Sequence, residues 1–100
     1  MPEVKIKEIK KDMSSISLTA KVISIGEERL VQTKYGEARV ADAIVEDDTG
    51  RITLTLWREQ IDKVKEGNII RIENGFVREF RGKLSINVAK NGRITVLKNK

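Results

Sequence analysis

The sequence predicts an all-β fold, a five-stranded Greek-key barrel with a short helix between its third and fourth strands. Three observations point to it: period-two alternation in several short segments, turn signals between those segments, and helical spacing after the third of them. The 100 residues suffice for one compact core, and the chain has no repeat, linker or low-complexity stretch. We therefore expect a single domain over residues 1–100. A small β-sandwich is the alternative, although sandwiches usually have more strands.

The first half of the chain predicts one helical turn and two strands. Apolar residues between Ile6 and Met13 are three and four positions apart, which is typical of a short helical turn. Residues 16–22 alternate apolar and polar side chains and form the first strand. The polar residues 26–37 predict a long loop, and a second strand follows over residues 38–46. Its facing is ambiguous because apolar side chains occur at both parities.

A turn and a cleanly alternating strand come next. The sequence Asp-Asp-Thr-Gly at 47–50 is a turn signal, because Asp accepts backbone hydrogen bonds from residues ahead of it and Gly tolerates a positive φ. In residues 51–57, Ile, Leu and Leu at the even positions face the core, whereas Arg, Thr, Thr and Trp at the odd positions face outward. This third strand therefore has a clear inner and outer face.

The remaining elements are a helix and two strands. Residues 58–66 change to helical spacing and a glycine follows as a helix stop, so a short helix can cap one end of the barrel. A fourth strand over residues 69–80 and a fifth over 84–88 are joined by a hairpin at Arg81-Gly82. A last short run, residues 94–96, extends the sheet.

The composition excludes most enzyme classes. The chain has no Cys and no His, which removes thiol nucleophiles, disulfides, Ser-His-Asp triads and the usual zinc sites. We therefore predict neither an enzyme nor a bound cofactor. The acidic run at 46–48 offers carboxylates that suit Mg²⁺, but consecutive residues in a hairpin do not converge easily on one ion. Turn chemistry already explains that run, and we predict no metal site.

The charge points to a polyanionic partner. Lys and Arg number 20 against 15 Asp and Glu, giving a net charge of +5, which favours nucleic acid. Charge alone supports a merely solvated surface equally well. No apolar run exceeds three residues, so we expect no membrane segment or membrane partner. Met1-Pro2-Glu3 lacks the features of a signal peptide, and we expect an intracellular, cytoplasmic protein.

Trp57 is the first candidate for a ligand contact. It continues the outward parity of Arg51 and stands opposite the core row of the third strand. An exposed tryptophan indicates a partner, because large exposed apolar surface is otherwise avoided. The alternative is a ring that folds over the barrel edge into the core, and parity favours the exposed orientation about two to one.

Phe76 and Phe80 need a bulge to reach the same surface. Regular alternation through the fourth strand would bury Arg78 together with both rings, and burying an arginine is costly. A one-residue bulge at Asn74-Gly75 reverses the facing of the residues that follow and leaves all three side chains on the outer face. Without that bulge the two phenylalanines belong to the core.

With the bulge, aromatic and basic side chains share one surface. A base can stack on each ring for about 1–3 kcal/mol while Lys and Arg follow the phosphates, so we predict a site of about 4–16 nucleotides of single strand with little sequence preference. A duplex hides its base faces and could use only the charge. In this architecture the long loop would act as a clamp, although taken alone it is better explained as a solvated connection, by about three to one. The predicted site comprises Trp57, Phe76, Phe80, Arg51, Arg78, Arg81 and Lys83, together with Val31, Gln32, Thr33, Lys34, Tyr35 and Arg39.

Four segments of the chain form a pattern specific enough to compare with known families. They are residues 30–34 (LVQTK), 43–45 (AIV), 47–57 (DDTGRITLTLW) and 65–68 (KEGN). The pattern resembles the archaeal single-stranded DNA-binding proteins, which are similar to the DNA-binding domains of replication protein A. The resemblance covers nearly the whole chain, and Asp-x-Thr-Gly-x-Ile-x-Leu-x-Leu-Trp is its most specific part.

This resemblance implies an oligonucleotide-binding (OB) fold that protects single-stranded DNA in replication, recombination and repair. It implies base stacking by the aromatic residue that ends the third strand and by two near the hairpin between the fourth and fifth. Those positions are Trp57, Phe76 and Phe80, which parity and the bulge indicate independently. Replication and repair proteins are then the implied protein partners, and we expect a monomer or a weak oligomer.

Two features depart from the family pattern. Some members carry a second Trp at the position of Phe76, so stacking there would be weaker in this chain. Some members have a Gly-rich tail with an acidic end that recruits partner proteins, whereas this sequence stops at Lys98-Asn99-Lys100. Either a tail lies outside this sequence or partners are recruited differently. Two other functions stay open, an OB-fold subunit acting mainly in protein assembly and an RNA-binding OB domain.

Overall fold

The structure is a computed structural model that describes residues 3–98, apart from the side chains of Phe80 and Lys90. No helix in this part of the chain is long and apolar enough to cross a membrane. The elements, in chain order, are a 3-10 turn at Ile6–Glu8, β1 at Ile16–Ile25, β2 at Arg29–Thr33, β3 at Gly36–Asp47, β4 at Gly50–Trp57, α1 at Glu59–Lys63, β5 at Ile69–Phe80 and β6 at Lys83–Lys98.

Within residues 3–98, five strands close into a barrel. The sheet order is β1-β5-β6-β4-β3, and β1 also pairs with β3, which completes the ring. β1 can serve both neighbours because its first half pairs with β5 and its second half with β3. The pairing of β4 with β6 is parallel and the others are antiparallel. α1 connects β4 to β5, the third and fourth barrel strands, so the predicted fold class is confirmed.

The inward rows of these strands fill the barrel. Leu18, Leu54 and Leu56 are fully buried, as their alternation predicts. The strand with ambiguous facing, β3, turns Ala43 and Val45 inward, so its odd positions form the core row. Burial of each large apolar side chain contributes about 1.5–3 kcal/mol, which makes this core the main source of stability.

The predicted long loop over residues 26–37 is wrong, because most of it forms a hairpin. β2 pairs with the start of β3, and a two-residue turn at Lys34 and Tyr35 joins them. The Thr33 hydroxyl donates to the Gly36 carbonyl at 2.7 Å and accepts from the Tyr35 N–H at 3.1 Å, which fixes the turn. The side chains of β2 are exposed or half-buried on both faces, so the strand has no hydrophobic period to reveal it.

The predicted bulge in β5 is confirmed. Ile72 and Val77 are both buried although they differ in parity, and Asn74 between them has a φ of +57°. Such a conformation is unusual for a residue other than glycine and reverses the facing of the strand. Phe76 and Arg78 consequently follow the outward row of β5, half-buried and exposed respectively.

More residues are left out of the pairing on β6 than on β5, which the sequence does not predict. The pairing advances on β5 only from Glu73 to Gly75, while on β6 it passes from Arg93 to Val88. Residues 89–92 of β6 therefore form most of the irregularity. β6 itself is one long strand, so the predicted fifth strand and the short run after it belong to the same element.

The predicted turn at 47–50 is confirmed and also fastens the N-terminal segment to the barrel. Asp47 Oδ1 accepts from the backbone N–H and the hydroxyl of Thr49 at 2.7 and 2.6 Å, and Asp47 Oδ2 accepts from the Ile6 N–H at 2.8 Å. Partial burial acts to raise the pKa of Asp47, but these hydrogen bonds outweigh it and lower that pKa below its ordinary value. The carboxylate is thus engaged by the turn itself.

Candidate nucleic-acid interface

Trp57 ends β4 on the outer face of the barrel, at the position its parity predicts. Its side chain is half-buried, and the indole Nε1–H donates a hydrogen bond to Asn87 Oδ1 at 3.1 Å. Its backbone N–H donates to Gln60 Oε1 in α1 at 2.9 Å. In the register of β3 with β4 it stands opposite Val40, which is only 1% exposed although it lies on the outer row. The ring and the backbone of Trp57 are therefore both held.

Arg58 turns the chain sharply between Trp57 and α1. Its φ of +54° and ψ of −127° form a combination that residues other than glycine rarely adopt, and such strain costs about 1–3 kcal/mol. Its backbone N–H donates to the Arg39 carbonyl at 2.9 Å, which holds the turn against β3. The sharp reversal brings Gln60 back to the Trp57 backbone.

Phe76 provides a second ring two strands away. It pairs with Asn87 of β6, which runs between β4 and β5, so Trp57 and Phe76 lie on strands about 10 Å apart. That strand separation is larger than the 4.5–7 Å between the centres of two rings in contact, so each ring can accept a different base. The guanidinium carbon of Arg78 lies 5.4 Å from the centre of the Phe76 ring, within cation–π distance.

One open groove contains both rings and the tip of the β2–β3 hairpin. Trp57, Phe76, Arg78 and Tyr35 line it, so the structure brings these four predicted site residues together. The side chain of Tyr35 is 83% exposed, and Lys34 Nζ lies 5.3 Å from the centre of its ring. The hairpin thus presents an aromatic side chain to the same groove as the barrel strands.

The other predicted residues of the hairpin do not line this groove. Val31 and Thr33 lie on one face of β2 and are half-buried, whereas Gln32 and Lys34 are exposed. These positions belong to the arm that carries Tyr35 and lie along it toward the barrel. Their contact with a ligand stays a prediction.

Arg51, Arg81 and Lys83 do not line the groove of Trp57 and Phe76. Arg51 and Lys83 line a second groove together with Ile52 and Leu84, and Arg51 Nε lies 2.7 Å from Glu46 Oε1.

The hairpin prediction is confirmed, because Arg81 and Gly82 form the turn between β5 and β6 with φ of +53° and +79°. The backbone of Phe80 pairs with Lys83, but the Phe80 side chain lies outside the described part of the structure and its stacking role stays a prediction.

Arg39 does not line the groove of Trp57 and Phe76, so its contact with a ligand stays a prediction. It shares the parity of Ala41, opposite the row of Trp57, and its guanidinium faces α1. Its two terminal nitrogens donate to Asp62 at 2.8 and 3.3 Å, and one of them also donates to Glu28 at 3.3 Å. The hydrogen bonds with Arg39 lower the pKa of Asp62, and those with Asp62 raise the pKa of Arg39. Carboxylates of the chain thus occupy the groups expected to contact phosphates.

Comparison with known proteins gives the family. Residues 9–96 match the family model described as "Single-stranded DNA binding protein Ssb-like, OB fold". The chain belongs to this family. The predicted resemblance and the OB fold are therefore confirmed.

Similar proteins and solved structures agree with the assignment. The chain is 37% identical over 92 residues to the single-stranded DNA binding protein Ssb of Saccharolobus solfataricus, covering 92% of this chain and 62% of that protein, less than two thirds of its length. The OB domain of Ta0387 from Thermoplasma acidophilum superimposes with a TM-score of 0.83 at 26% identity, covering 97% and 88% of the two chains. The second OB-fold domain of replication protein A from Methanococcus maripaludis gives 0.79 at 28% identity, covering 99% and 98%.

Several residues that line this groove are absent from the sequence prediction, and three of them lie close to Trp57 in the chain or on the strand beside it. These are Arg58, Gln60 and Asn87, and two of them form hydrogen bonds with Trp57. The sequence offers one indication for Asn87, which continues the outward row of β6 two positions after Ser85. A polar side chain beside the predicted stacking rings suggests a role in the site. Arg58 and Gln60 carry no such signal, because their places depend on the turn into α1.

Proposed function

We propose that residues 1–100 act as one non-catalytic OB-fold domain that binds single-stranded DNA with little sequence preference and protects it in replication, recombination and repair. One observation carries the proposal: Trp57, Phe76, Arg78 and Tyr35 line a single groove on the outer face of the barrel. The family description and the name of the Saccharolobus relative support DNA as the ligand. Such a protein acts inside the cell, where DNA is exposed as single strands.

Stacking explains why the site would accept single strands of any sequence. Every base has a π-face, and stacking on an aromatic side chain contributes about 1–3 kcal/mol per base without reading its edge. Trp57 and Phe76 lie on strands separated by β6, so consecutive or nearby bases can each use one ring. A duplex keeps its base faces in the stack and cannot use either ring.

The charge of the groove makes stacking the larger contribution. Its charged residues are Arg58, Glu59 and Arg78, two cations and one anion. The slope of log Kobs against log salt concentration becomes more negative by about 0.7 for each phosphate of a single strand that the protein neutralises. With about two such contacts, we expect a slope between about −1 and −2 for this groove, much shallower than for a protein that binds through charge.

The test uses the only tryptophan of the chain, Trp57, as its own reporter. We would titrate the protein with oligo-dT of increasing length, from about 4 to 16 nucleotides, at several salt concentrations. A duplex of the same length is the control, and oligo-U tests RNA. We expect strong quenching by single strands, little by duplex, and a shallow salt dependence, because a stacked base quenches the indole directly.

Two results would overturn the proposal. Unchanged fluorescence with no binding of any oligonucleotide would favour the protein-assembly alternative. Equal and steeply salt-dependent binding of duplex and single strand would mean that charge alone acts and that the rings are not used. Quenching by oligo-U as strong as by oligo-dT would extend the ligand to RNA.

A further inference from the structure

The indole N–H of Trp57 is already bonded within the protein. It donates to Asn87 Oδ1 at 3.1 Å, and Asn87 is only 7% exposed. An indole has one hydrogen-bond donor and no acceptor, so this bond uses the whole polar capacity of the side chain. Whatever binds to Trp57 from solvent meets its carbon face.

Asn87 occupies the position between the two rings of the groove. It lies on β6, directly opposite Phe76 in the β5–β6 register. On its other side β6 runs parallel to β4, with Ser85 level with Thr53 and Ile86 level with Leu54. Asn87 therefore faces outward one strand away from Trp57. A buried amide on an outward row needs a hydrogen-bond partner, and the indole provides one.

Of the two hydrogen bonds described for Trp57, the one to Asn87 is the one that orients the ring. The backbone N–H of Trp57 is held by Gln60, but that bond leaves rotation about the side-chain torsions free. Val40, its partner in the β3–β4 register, has no hydrogen-bond acceptor on its side chain and cannot select which edge of the indole points inward. Only the bond to Asn87 distinguishes an indole whose N–H edge faces the protein from one whose N–H edge faces the groove.

We propose that Asn87 positions the Trp57 indole and, by engaging its N–H, makes this site indifferent to base identity. The inference rests on the proposed function, because it explains why a ring with a polar group would not read bases. With the N–H free, the indole could donate to an acceptor atom on a base edge, and bases differ in where their acceptors lie. With the N–H held, stacking alone remains, and every base can stack.

The first experiment needs no DNA. The single Trp57 gives one indole resonance in a ¹H–¹⁵N spectrum, and we expect slow solvent exchange of that proton in the unaltered protein. Asn87→Leu has a similar size and no acceptor, and should speed the exchange at least tenfold; Asn87→Asp keeps an acceptor and should stay slow. Slow exchange in Asn87→Leu would overturn the proposal. If Asn87→Leu does not fold, Asn87→Ser, which is too short to reach the indole, takes its place.

The second experiment measures binding as a double-mutant cycle. Trp57→Phe retains an aromatic ring and removes the N–H. Asn87→Leu should weaken binding of oligo-dT by about three- to tenfold beside Trp57, and should leave it unchanged in the Trp57→Phe background. It should also widen the spread of affinities among oligo-dT, oligo-dC and oligo-dA. Ser85→Ala, on the same outward row of β6, is the matched control and should change neither quantity.

The outcomes separate this inference from the proposed function. Equal losses from Asn87→Leu in both backgrounds would mean that Asn87 acts through the barrel and not through Trp57, while single-strand binding itself would stand. Unchanged relative affinities among the three oligonucleotides would overturn the claim about base identity. No binding by the unaltered protein would overturn the proposed function, whereas indole exchange decides the positioning role by itself.

Discussion

The two sides of the groove hold their aromatic side chains in different ways. Trp57 is half-buried, its ring and its backbone are each hydrogen-bonded, and its strand is paired on both sides. Tyr35 is 83% exposed at the tip of a hairpin whose outer strand, β2, pairs only with β3. The barrel side is fixed before a ligand arrives, whereas the hairpin side projects into solvent.

This difference determines how much each ring can contribute to affinity. A side chain that is already fixed binds without losing rotamer freedom, whereas ordering an exposed one costs about 0.5–1.5 kcal/mol. Most of the stacking free energy of a fixed ring therefore contributes to affinity. The stacking free energy of an exposed ring is largely offset by the cost of ordering it. The hairpin instead gains adaptability, which suits a clamp on bases of different size.

The largest effect should come from removing the fixed platform. Trp57→Ala should weaken oligo-dT binding by about 1–3 kcal/mol, roughly 5- to 150-fold in Kd, because stacking on the ring is lost. Anisotropy of a labelled oligonucleotide measures it, since the variant has no tryptophan. Trp57→Phe is the control and should recover most of the affinity. If Trp57→Ala binds as well as the unaltered protein, the fixed ring is not the platform.

A second variant tests whether the bulge makes Phe76 part of the fixed side. A Cβ added at Gly92 would lie 2.5 Å from the Glu73 carbonyl oxygen and 2.8 Å from that of Asn74, so the backbone of the bulge must move. We expect Gly92→Ala to reduce the free energy of unfolding by about 1–3 kcal/mol in urea. Binding should weaken as well, since Phe76 follows the bulge directly.

The matched control for that variant is Gly50→Ala. Its added Cβ would meet only Ile6 Cγ2 at 3.7 Å, an ordinary contact. It should leave the stability nearly unchanged. Equal stability of the Gly92 and Gly50 variants would mean that the bulge can shift freely and does not fix Phe76.

Salt dependence should separate an arginine of the groove from one bound to carboxylates. Arg78→Ala should weaken binding about equally for all sequences and make the salt slope shallower by about 0.7, the value for one phosphate on a single strand. Arg39→Ala should leave the slope unchanged, because Asp62 and Glu28 already engage that guanidinium. A shallower salt slope for Arg39→Ala than for the unaltered protein would show that Arg39 contacts a phosphate and belongs to the site.

The smallest effect should come from the hairpin tip. Tyr35→Ala should weaken oligo-dT binding by less than about fivefold, since the ordering cost offsets most of the stacking. Its midpoint of urea unfolding should not change, because the side chain is mostly exposed. A loss as large as that of Trp57→Ala would show that both sides of the groove act as fixed platforms.

The sequence predicts the barrel side of the groove better than the hairpin side, for a physical reason. Burial of one face imposes a period of two, so the outward place of Trp57 and the bulge before Phe76 can both be derived from residue type. β2 buries neither face completely, and its stability comes from backbone pairing that leaves no trace in side-chain pattern. The prediction of a loop there fails for that reason.

The local sequence pattern does not predict the hydrogen bond of Trp57 with Asn87 or the ion pairs of Arg39. Trp57 and Asn87 meet only through the parallel pairing of β4 with β6, 30 residues apart in the chain. Arg39 contacts Asp62 because the chain after β4 folds back and brings α1 close to β3. Neither register nor helix placement can be derived from local periodicity. The stacking role of Phe80 stays a prediction for another reason, because its side chain lies outside the described part of the structure.

The parallel pairing of β4 with β6 also has a kinetic consequence. The β3–β4 and β5–β6 hairpins are local and can form within about 1–10 μs, whereas barrels closed by distant strands fold in about milliseconds to seconds. The contact between β4 and β6 joins the two hairpins, so we expect it to form after both of them. Trp57 and Asn87 stand on either side of that junction. The aromatic groove is therefore completed only when the barrel closes, and a newly synthesised or partly unfolded chain has no preformed place for a nucleic acid strand.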